Sequence, residues 1–189
     1  MKAIIDAKEL KRIIDNTKKF VDINGMMMFL RMEIDAEKMM VRATALDGYR
    51  ISVEYARVID ADKSFTCYIK PIALKITKYV HYATIELENG RALIQVGDTT
   101  TEFTQPENEY PNVDRVLEVE TKKEVLNTIG VNTKYLKDAL ESTKDIRQTR
   151  DIIRLEIRKP NEAITIKTKG YDGLPDNIKL VLPVKLATV

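Results

Sequence analysis

The chain has 189 residues, 44% of them hydrophobic and 32% charged, which is typical of a globular protein with one large domain or two small ones. Its 31 basic and 29 acidic residues give a net charge of +2, which excludes a polybasic coat for nucleic acid and leaves open a basic stripe balanced by acids elsewhere. No apolar run approaches the roughly 18 residues that span a membrane, and the single cysteine, Cys67, excludes an internal disulfide, so we expect a cytoplasmic protein.

The first 58 residues predict a strand, a helix and three further strands. Residues 2–5 form the first strand. Asp6 begins the helix, with Glu9 at the spacing of a capping box. An acid this close to the N-terminus interrupts the apolar core that a signal peptide requires. The helix has one apolar face, made of Leu10, Ile13, Ile14, Thr17 and Val21. Strand patterns follow at residues 28–34, 39–44 and 51–58, with an acidic turn at 35–37 and an Asp-Gly turn at 47–48.

The same order of elements recurs from residue 65. A strand at 65–69 precedes Pro71, which suits the first turn of a helix that runs through Leu74 to Tyr79. Three strands then follow, at residues 84–88, 92–96 and 100–104, the first two joined by an Asn89-Gly90 hairpin turn. Residues 105–112 contain two prolines and predict a loop.

A third copy begins near Asn127. A strand at 128–131 precedes Asn132, which caps a helix that carries Leu136, Ala139 and Leu140. Strands follow at residues 152–157, 163–167 and 179–185. We therefore predict an α+β protein of three strand-helix-strand-strand-strand repeats of about 60 residues each, because every helix is followed by antiparallel strands.

Residues suited to catalysis or metal binding are sparse. His81 is the only histidine, and Cys67 lies inside a predicted strand, where it is typical of a buried, inert thiol. The sequence has no glycine-rich phosphate loop, nucleophile elbow or metal-ligand spacing. We therefore predict no catalytic residue, no metal and no cofactor. Carboxylates distant in sequence could still meet in space, so a small enzyme on a repeated α+β scaffold stays open.

Three segments resemble the bacterial sliding clamp, the β subunit of DNA polymerase III. The first is the turn Asp47-Gly48-Tyr49-Arg50, the second is residues 110–117, and the third is residues 182–186, a strand whose proline indicates a sheet edge or a bulge. In that family the turn lies in the middle domain, the second segment at the domain exit and the third at the C-terminus. The turn and the terminal strand build one peptide-binding pocket there.

The resemblance implies a DNA-clamp fold with a defined domain division. Residues 1–118 correspond to the complete middle domain with two repeats, 119–126 to a linker, and 127–189 to the second half of the last domain. In the family, helices line a central hole and sheets lie outside. The family's first domain and the first half of its last domain, which close the ring, have no counterpart in this sequence.

The peptide-binding pocket implied by the resemblance is an apolar slot with guanidinium groups at its rim, suited to a leucine or phenylalanine anchor and a glutamine or acidic group. The alternative is that the apolar members belong to the core and that the Asp-Gly turn is an ordinary turn. The implied pocket residues are Asp47, Gly48, Tyr49, Arg50, Ile51, Pro111, Arg115, Val116, Leu180, Leu182, Pro183, Val184 and Leu186.

Basic residues on the three predicted helices are candidates for sequence-independent contact with duplex DNA phosphates. The alternative is a solvated helix face, since Glu9, Asp15, Asp138 and Glu141 dilute the charge. The candidate DNA-binding residues are Lys8, Lys11, Arg12, Lys18, Lys19, Lys75, Lys78, Lys134 and Lys137.

The resemblance implies a non-enzymatic, clamp-like processivity factor of DNA replication, which tethers a polymerase or clamp loader through its peptide motif. The alternative is a decoy or regulator that binds those motifs without forming a ring. We also expect a homodimer through the half domain, because a single repeat would leave an apolar face uncovered. That face consists of Leu136, Leu140, Ile153, Leu155 and Ile164.

Overall fold

The computed structural model describes residues 1–122, 124–125, 127–141, 152–168 and 177–184. The chain divides into two units, Met1–Val119 and Glu120–Val189. The predicted pocket residue Leu186 lies outside the described residues. Among the described residues, none of the helices has the length and apolar content that a membrane crossing requires.

Eight strands of the first unit form one antiparallel sheet in the order β5-β2-β3-β4-β1-β6-β7-β8. The central strand β1 pairs with β4 on one side and β6 on the other, so the first two repeats share one sheet. The elements are β1 (Lys2–Asp6), α1 (Ala7–Thr17), β2 (Leu30–Asp35), β3 (Met40–Leu46), β4 (Ile51–Ala61), β5 (Phe65–Ile69), β6 (Tyr82–Glu88), β7 (Arg91–Val96), β8 (Thr99–Thr104) and α2 (Val113–Thr121).

Helix α1 begins where the sequence predicts it, but it ends at Thr17 and does not extend to Val21. Asp6 caps it, since the Oδ1 atom accepts hydrogen bonds from the backbone N–H groups of Lys8 at 2.9 Å and Glu9 at 3.0 Å. Leu10, Ile13 and Ile14 are fully buried against the sheet. The cap satisfies two N–H groups that a helix start leaves without partners, and the apolar face fixes the helix on the core.

The predicted second helix, from Pro71 to Tyr79, is wrong. Residues 70–81, which we call the strap, form neither a helix nor a strand and contain a turn at 78–79, and Ile72, Leu74, Ile76 and Val80 pack against the core. Lys70 offers no side-chain oxygen that could cap a helix starting at Pro71. The β-branched residues at 72, 76 and 77 also favour extended backbone over helix.

Cys67 lies in β5 with no exposed surface, which confirms the prediction of a buried thiol. Its burial raises the pKa of the thiol to about 12, so the reactive thiolate is not populated at neutral pH. Within the described residues, no group of three or more His, Cys, Asp or Glu side chains could hold a metal ion.

The second unit contains a three-stranded antiparallel sheet, β10-β11-β12, and a two-stranded sheet, β13-β9. Its core is built from Ile164, Ile166 and Val181. The described elements are β9 (Gly130–Val131), α3 (Thr133–Glu141), β10 (Arg154–Glu156), β11 (Ile164–Thr168), β12 (Asn177–Val181) and β13 (Pro183–Val184). The predicted last strand, 179–185, is thus interrupted at Leu182.

The expectation that this unit leaves its apolar face uncovered is wrong for most of that face. Leu136 and Leu140 of helix α3, together with Ile153, are partly buried and pack against the core of Ile164, Ile166 and Val181. Leu155, on β10, is half exposed. The homodimer expected through this unit stays a prediction.

Candidate functional site

The Asp-Gly segment forms the tight turn that the sequence predicts. Asp47 Oδ1 accepts hydrogen bonds from the backbone N–H groups of Tyr49 at 3.1 Å and Arg50 at 2.8 Å. Gly48 has a φ of 81°, a backbone conformation that favours glycine. The turn therefore projects Tyr49 away from the sheet, and 96% of this side chain is exposed.

Arg50 fixes the turn from its other side. Its Nε donates to Asp47 Oδ2 at 2.9 Å, and its Nη2 donates to the carbonyl oxygen of Lys19 at 3.2 Å. Its guanidinium carbon lies 5.0 Å from the ring centroid of Phe20. The hydrogen bonds from the Arg50 side chain, helped by the backbone N–H groups, lower the pKa of Asp47, so the pair is ionised at neutral pH.

An apolar group that we call the turn cluster lies at the base of this turn: Leu46, Ile51, Tyr110, Val113 and Leu117. The Tyr110 hydroxyl lies 3.2 Å from the carbonyl oxygen of Phe29 and 3.3 Å from that of Thr44. Burial raises the pKa of this hydroxyl, so it stays protonated. The predicted pocket residue Ile51 is partly buried, because it packs against this cluster.

Helix α2 carries two predicted pocket residues, Arg115 and Val116, and the sequence analysis missed this helix. Asn112 Oδ1 caps it by accepting from the Arg115 N–H at 3.0 Å, and this asparagine is the signal that could have revealed it. Asp114, in the first turn, forms an ion pair with Arg42 of β3, whose hydrogen bond lowers the Asp114 pKa. Arg115 and Val116 are exposed, whereas Pro111 is half-buried.

The second unit presents the other predicted pocket residues. Val181 faces the core, so the alternation of β12 turns Leu180 outward. Leu182 is 72% exposed and Val184 is partly exposed. Pro183 and Val184 form β13, which pairs with Val131 and Gly130 of β9. The unit therefore shows a run of accessible apolar side chains at the end of its sheet.

The basic side chains of α1, and of the 3₁₀ turn at residues 18–20 that follows it, are partly neutralised within the first unit. Lys18 Nζ lies 2.6 Å from Asp15 Oδ1, and Lys11 pairs with the same carboxylate. Arg12 pairs with Glu9 at 2.9 Å and Glu54 at 2.6 Å. Lys8 and Lys19 have no carboxylate within ion-pair distance in the described part of the chain. Three of the five candidate DNA-binding cations of α1 and the turn after it are thus engaged.

The other candidate cations differ in their surroundings. Lys75 and Lys78 lie on the strap, not on a helix as predicted, and both are exposed. Lys134 and Lys137 lie on α3, where Lys137 Nζ is 3.8 Å from Glu141 Oε1. The predicted DNA-binding residues therefore divide among α1 with the 3₁₀ turn that follows it, α3 and the strap.

No protein-family model and no curated protein matches the chain. Solved bacterial sliding clamps do match its structure. The sliding clamp of Bacillus subtilis has a TM-score of 0.78 at 16% identity, covering 97% of this chain and 49% of that chain. The polymerase β subunit of Streptococcus pyogenes has a TM-score of 0.80 at 17% identity, covering 98% and 50%. The Helicobacter pylori β clamp bound to a DNA ligase peptide has 0.72 at 13%, covering 97% and 50%.

These similarities show that the chain has the sliding-clamp fold, and they confirm the predicted α+β class. The chain spans about half the length of the solved clamps that it matches. At these low sequence identities, the similarity to the solved clamps concerns the fold alone.

Proposed function

We propose that the protein is a non-catalytic, sliding-clamp-like factor of DNA replication that binds short peptide motifs of a polymerase or clamp loader. The observation that carries this proposal is the match of 97% of the chain to solved clamps. One of these clamps was solved with a DNA ligase peptide. The mechanism is tethering, because a bound motif raises the local concentration of the partner near its substrate.

The described residues offer the chemistry that such a motif requires. Leu180, Leu182 and Val184 are accessible apolar side chains, and apolar anchors of a peptide bury against such groups. Arg115, exposed on α2, supplies a cation for an acidic group or a glutamine oxygen. Arg50 is less free for this role, because Asp47 and the Lys19 carbonyl already hold its guanidinium.

A peptide titration tests the proposal. A fluorescein-labelled peptide with a glutamine and a leucine or phenylalanine anchor should bind near 1 μM, roughly 8 kcal/mol. The double variant Leu182→Ala, Pro183→Ala should lose binding. The matched control is Ile152→Ala, which truncates an exposed apolar side chain of the same unit outside the predicted pocket. Unchanged affinity in the double variant would refute the pocket.

A decoy or regulator that captures the motifs without holding duplex DNA is the second candidate. The ion pairs of Lys11, Arg12 and Lys18 favour it, because a cation already matched to a carboxylate gains less from a phosphate. Measuring duplex association between 50 and 200 mM salt separates the candidates. A processivity factor requires binding that falls steeply with salt, whereas a decoy requires none.

A further inference from the structure

The strap has an apolar side and a polar side. Ile72, Leu74 and Ile76 pack towards the core, while Lys75, between them, is exposed. Among the described residues, the one backbone–backbone hydrogen bond from Pro71 to Val80 joins the Val80 N–H to the Thr77 carbonyl oxygen, at 3.2 Å. The strap is thus held mainly by its apolar side chains, and its lysines are exposed.

The charge around the strap is unusually one-sided for this chain. No acidic residue occurs between Asp62 and Glu86, although acids and bases are nearly equal in number overall. Lys70, Lys75 and Lys78 have no carboxylate within ion-pair distance in the part of the chain that the structure describes. They contrast with Lys11 of α1 and Lys18 just after it, which share Asp15. The strap therefore carries cations that an anionic ligand can neutralise.

Two aromatic rings lie in solvent at the end of the strap. Tyr79 is 77% exposed, and Tyr82, which begins β6, is 63% exposed. The Nζ atom of Lys78 lies 4.8 Å from the centroid of the Tyr79 ring. An exposed ring beside cations that no carboxylate neutralises is the combination on which bases of a single strand stack while lysines contact its phosphates.

We infer that the strap binds single-stranded nucleic acid without sequence preference. Lys70, Lys75 and Lys78 contact phosphates, and Tyr79 and Tyr82 stack on bases. A duplex does not satisfy the rings, because its bases already stack on one another. An acidic peptide would match the lysines and leave the rings without a partner. This binding does not depend on the peptide pocket, which uses other residues.

Fluorescence anisotropy with labelled (dT)20 and a 20-base-pair duplex tests the inference. Three phosphate contacts predict a slope of about −2 for log K against log salt, at about −0.7 per contact with a single strand. Tyr79→Ala should weaken (dT)20 binding between about fivefold and a hundredfold, whereas Tyr79→Phe should preserve it, because the ring alone stacks.

Lysine variants test whether (dT)20 binding depends on the strap lysines or on surface charge in general. Lys75→Gln with Lys78→Gln should reduce the magnitude of the salt slope by about 1.4. The matched control is Lys2→Gln with Lys38→Gln, since these exposed lysines are paired with Glu86 at 2.7 Å and Asp35 at 3.1 Å. The control should bind (dT)20 like the parent chain. All the substituted side chains are exposed, and an unchanged thermal melt confirms folding.

Several results would overturn the inference. They are an absence of (dT)20 binding, tighter binding of the duplex, an unaltered affinity in Tyr79→Ala, and competition by poly-glutamate equal to that by (dT)20. Peptide titration of the same samples reports separately on the proposed function. Lost peptide binding with retained (dT)20 binding would refute the pocket and leave the strap intact.

Discussion

Helix α1 and the strap occupy the same place in successive repeats, since each follows the repeat's first strand, and they have different conformations. In α1 the buried residues Leu10, Ile13 and Ile14 follow helical spacing. In the strap the core-facing residues Ile72, Leu74 and Ile76 alternate as in a strand. A helix with apolar residues at helical spacing and a strap with alternating apolar residues thus pack on the same sheet. The local sequence decides which of the two conformations forms.

The two segments also differ in whether their basic side chains form ion pairs. Lys11 and Arg12 of α1, and Lys18 just after it, lie three or four residues from Asp15 or Glu9, a spacing that brings side chains together on a helix. The strap has no such geometry and no acid nearby in sequence. The helical segment thus pairs part of its own charge, whereas the strap lysines have no carboxylate partner in the described part of the chain.

The largest expected difference between the two segments concerns packing. Ile13→Ala in α1 should destabilise the protein by about 2–5 kcal/mol, because Ile13 is fully buried beneath a helix that cannot move inward. Leu74→Ala in the strap should cost at most about 2 kcal/mol, since a chain held by few hydrogen bonds can collapse into the space. Urea denaturation measures both, and equal losses would show that the strap is as rigid as α1.

The sequence predicted the fold where several local signals agree. The Asn89-Gly90 hairpin has φ values of 50° and 72° at its two turn residues and joins β6 to β7. At the strap the signals conflict, because Ile72, Ile76 and Val80 suit a helix at every fourth residue as well as a strand. Pro71 favoured a helix start there, whereas Lys70 supplies no capping oxygen and the β-branched residues disfavour a helix.

The candidate site was less accessible to sequence reasoning. The Asp-Gly turn is encoded locally, by a carboxylate that reaches N–H groups two and three residues ahead. Its supports are not local: Arg50 reaches Lys19, 31 residues away, and Arg42 reaches Asp114, 72 residues away. No short pattern specifies such pairs, so the sequence could not reveal that Arg50 is engaged or that α2 is fixed to the sheet.

The cap of α1 provides a test of intermediate size. Asp6→Ala should destabilise the protein by about 1 kcal/mol, because the N–H groups of Lys8 and Glu9 lose their acceptor. Asp6→Asn is the matched control, since its amide oxygen can accept the same bonds. The midpoint of urea denaturation, followed by far-ultraviolet circular dichroism, measures the loss. An alanine variant as stable as the parent would show that the cap does not distinguish α1 from the strap.

The smallest expected effect concerns the ion pairs that Asp15 forms and that the strap lysines lack. Burial alone would raise the pKa of Asp15, but hydrogen bonds from Lys11 and Lys18 lower it below its ordinary value. A carboxyl with a depressed pKa in the folded state adds stability above its unfolded pKa of about 3.9 and loses that contribution as the pH falls through the folded value. Because the pair is partly exposed, Asp15→Asn should cost about 0.5 kcal/mol at pH 7.

That cost should shrink as the pH is lowered below about 4, because the parent's carboxyl then becomes neutral as well. The matched comparison is Lys75→Gln with Lys78→Gln, which removes strap lysines that have no carboxylate partner in the described part of the chain. The strap variant should have the parent's stability at both pH 7 and pH 3. A loss in Asp15→Asn that is equal at both pH values would show that α1 gains nothing from pairing its charges. A strap variant that loses stability at neutral pH would show that these lysines are not free for a ligand.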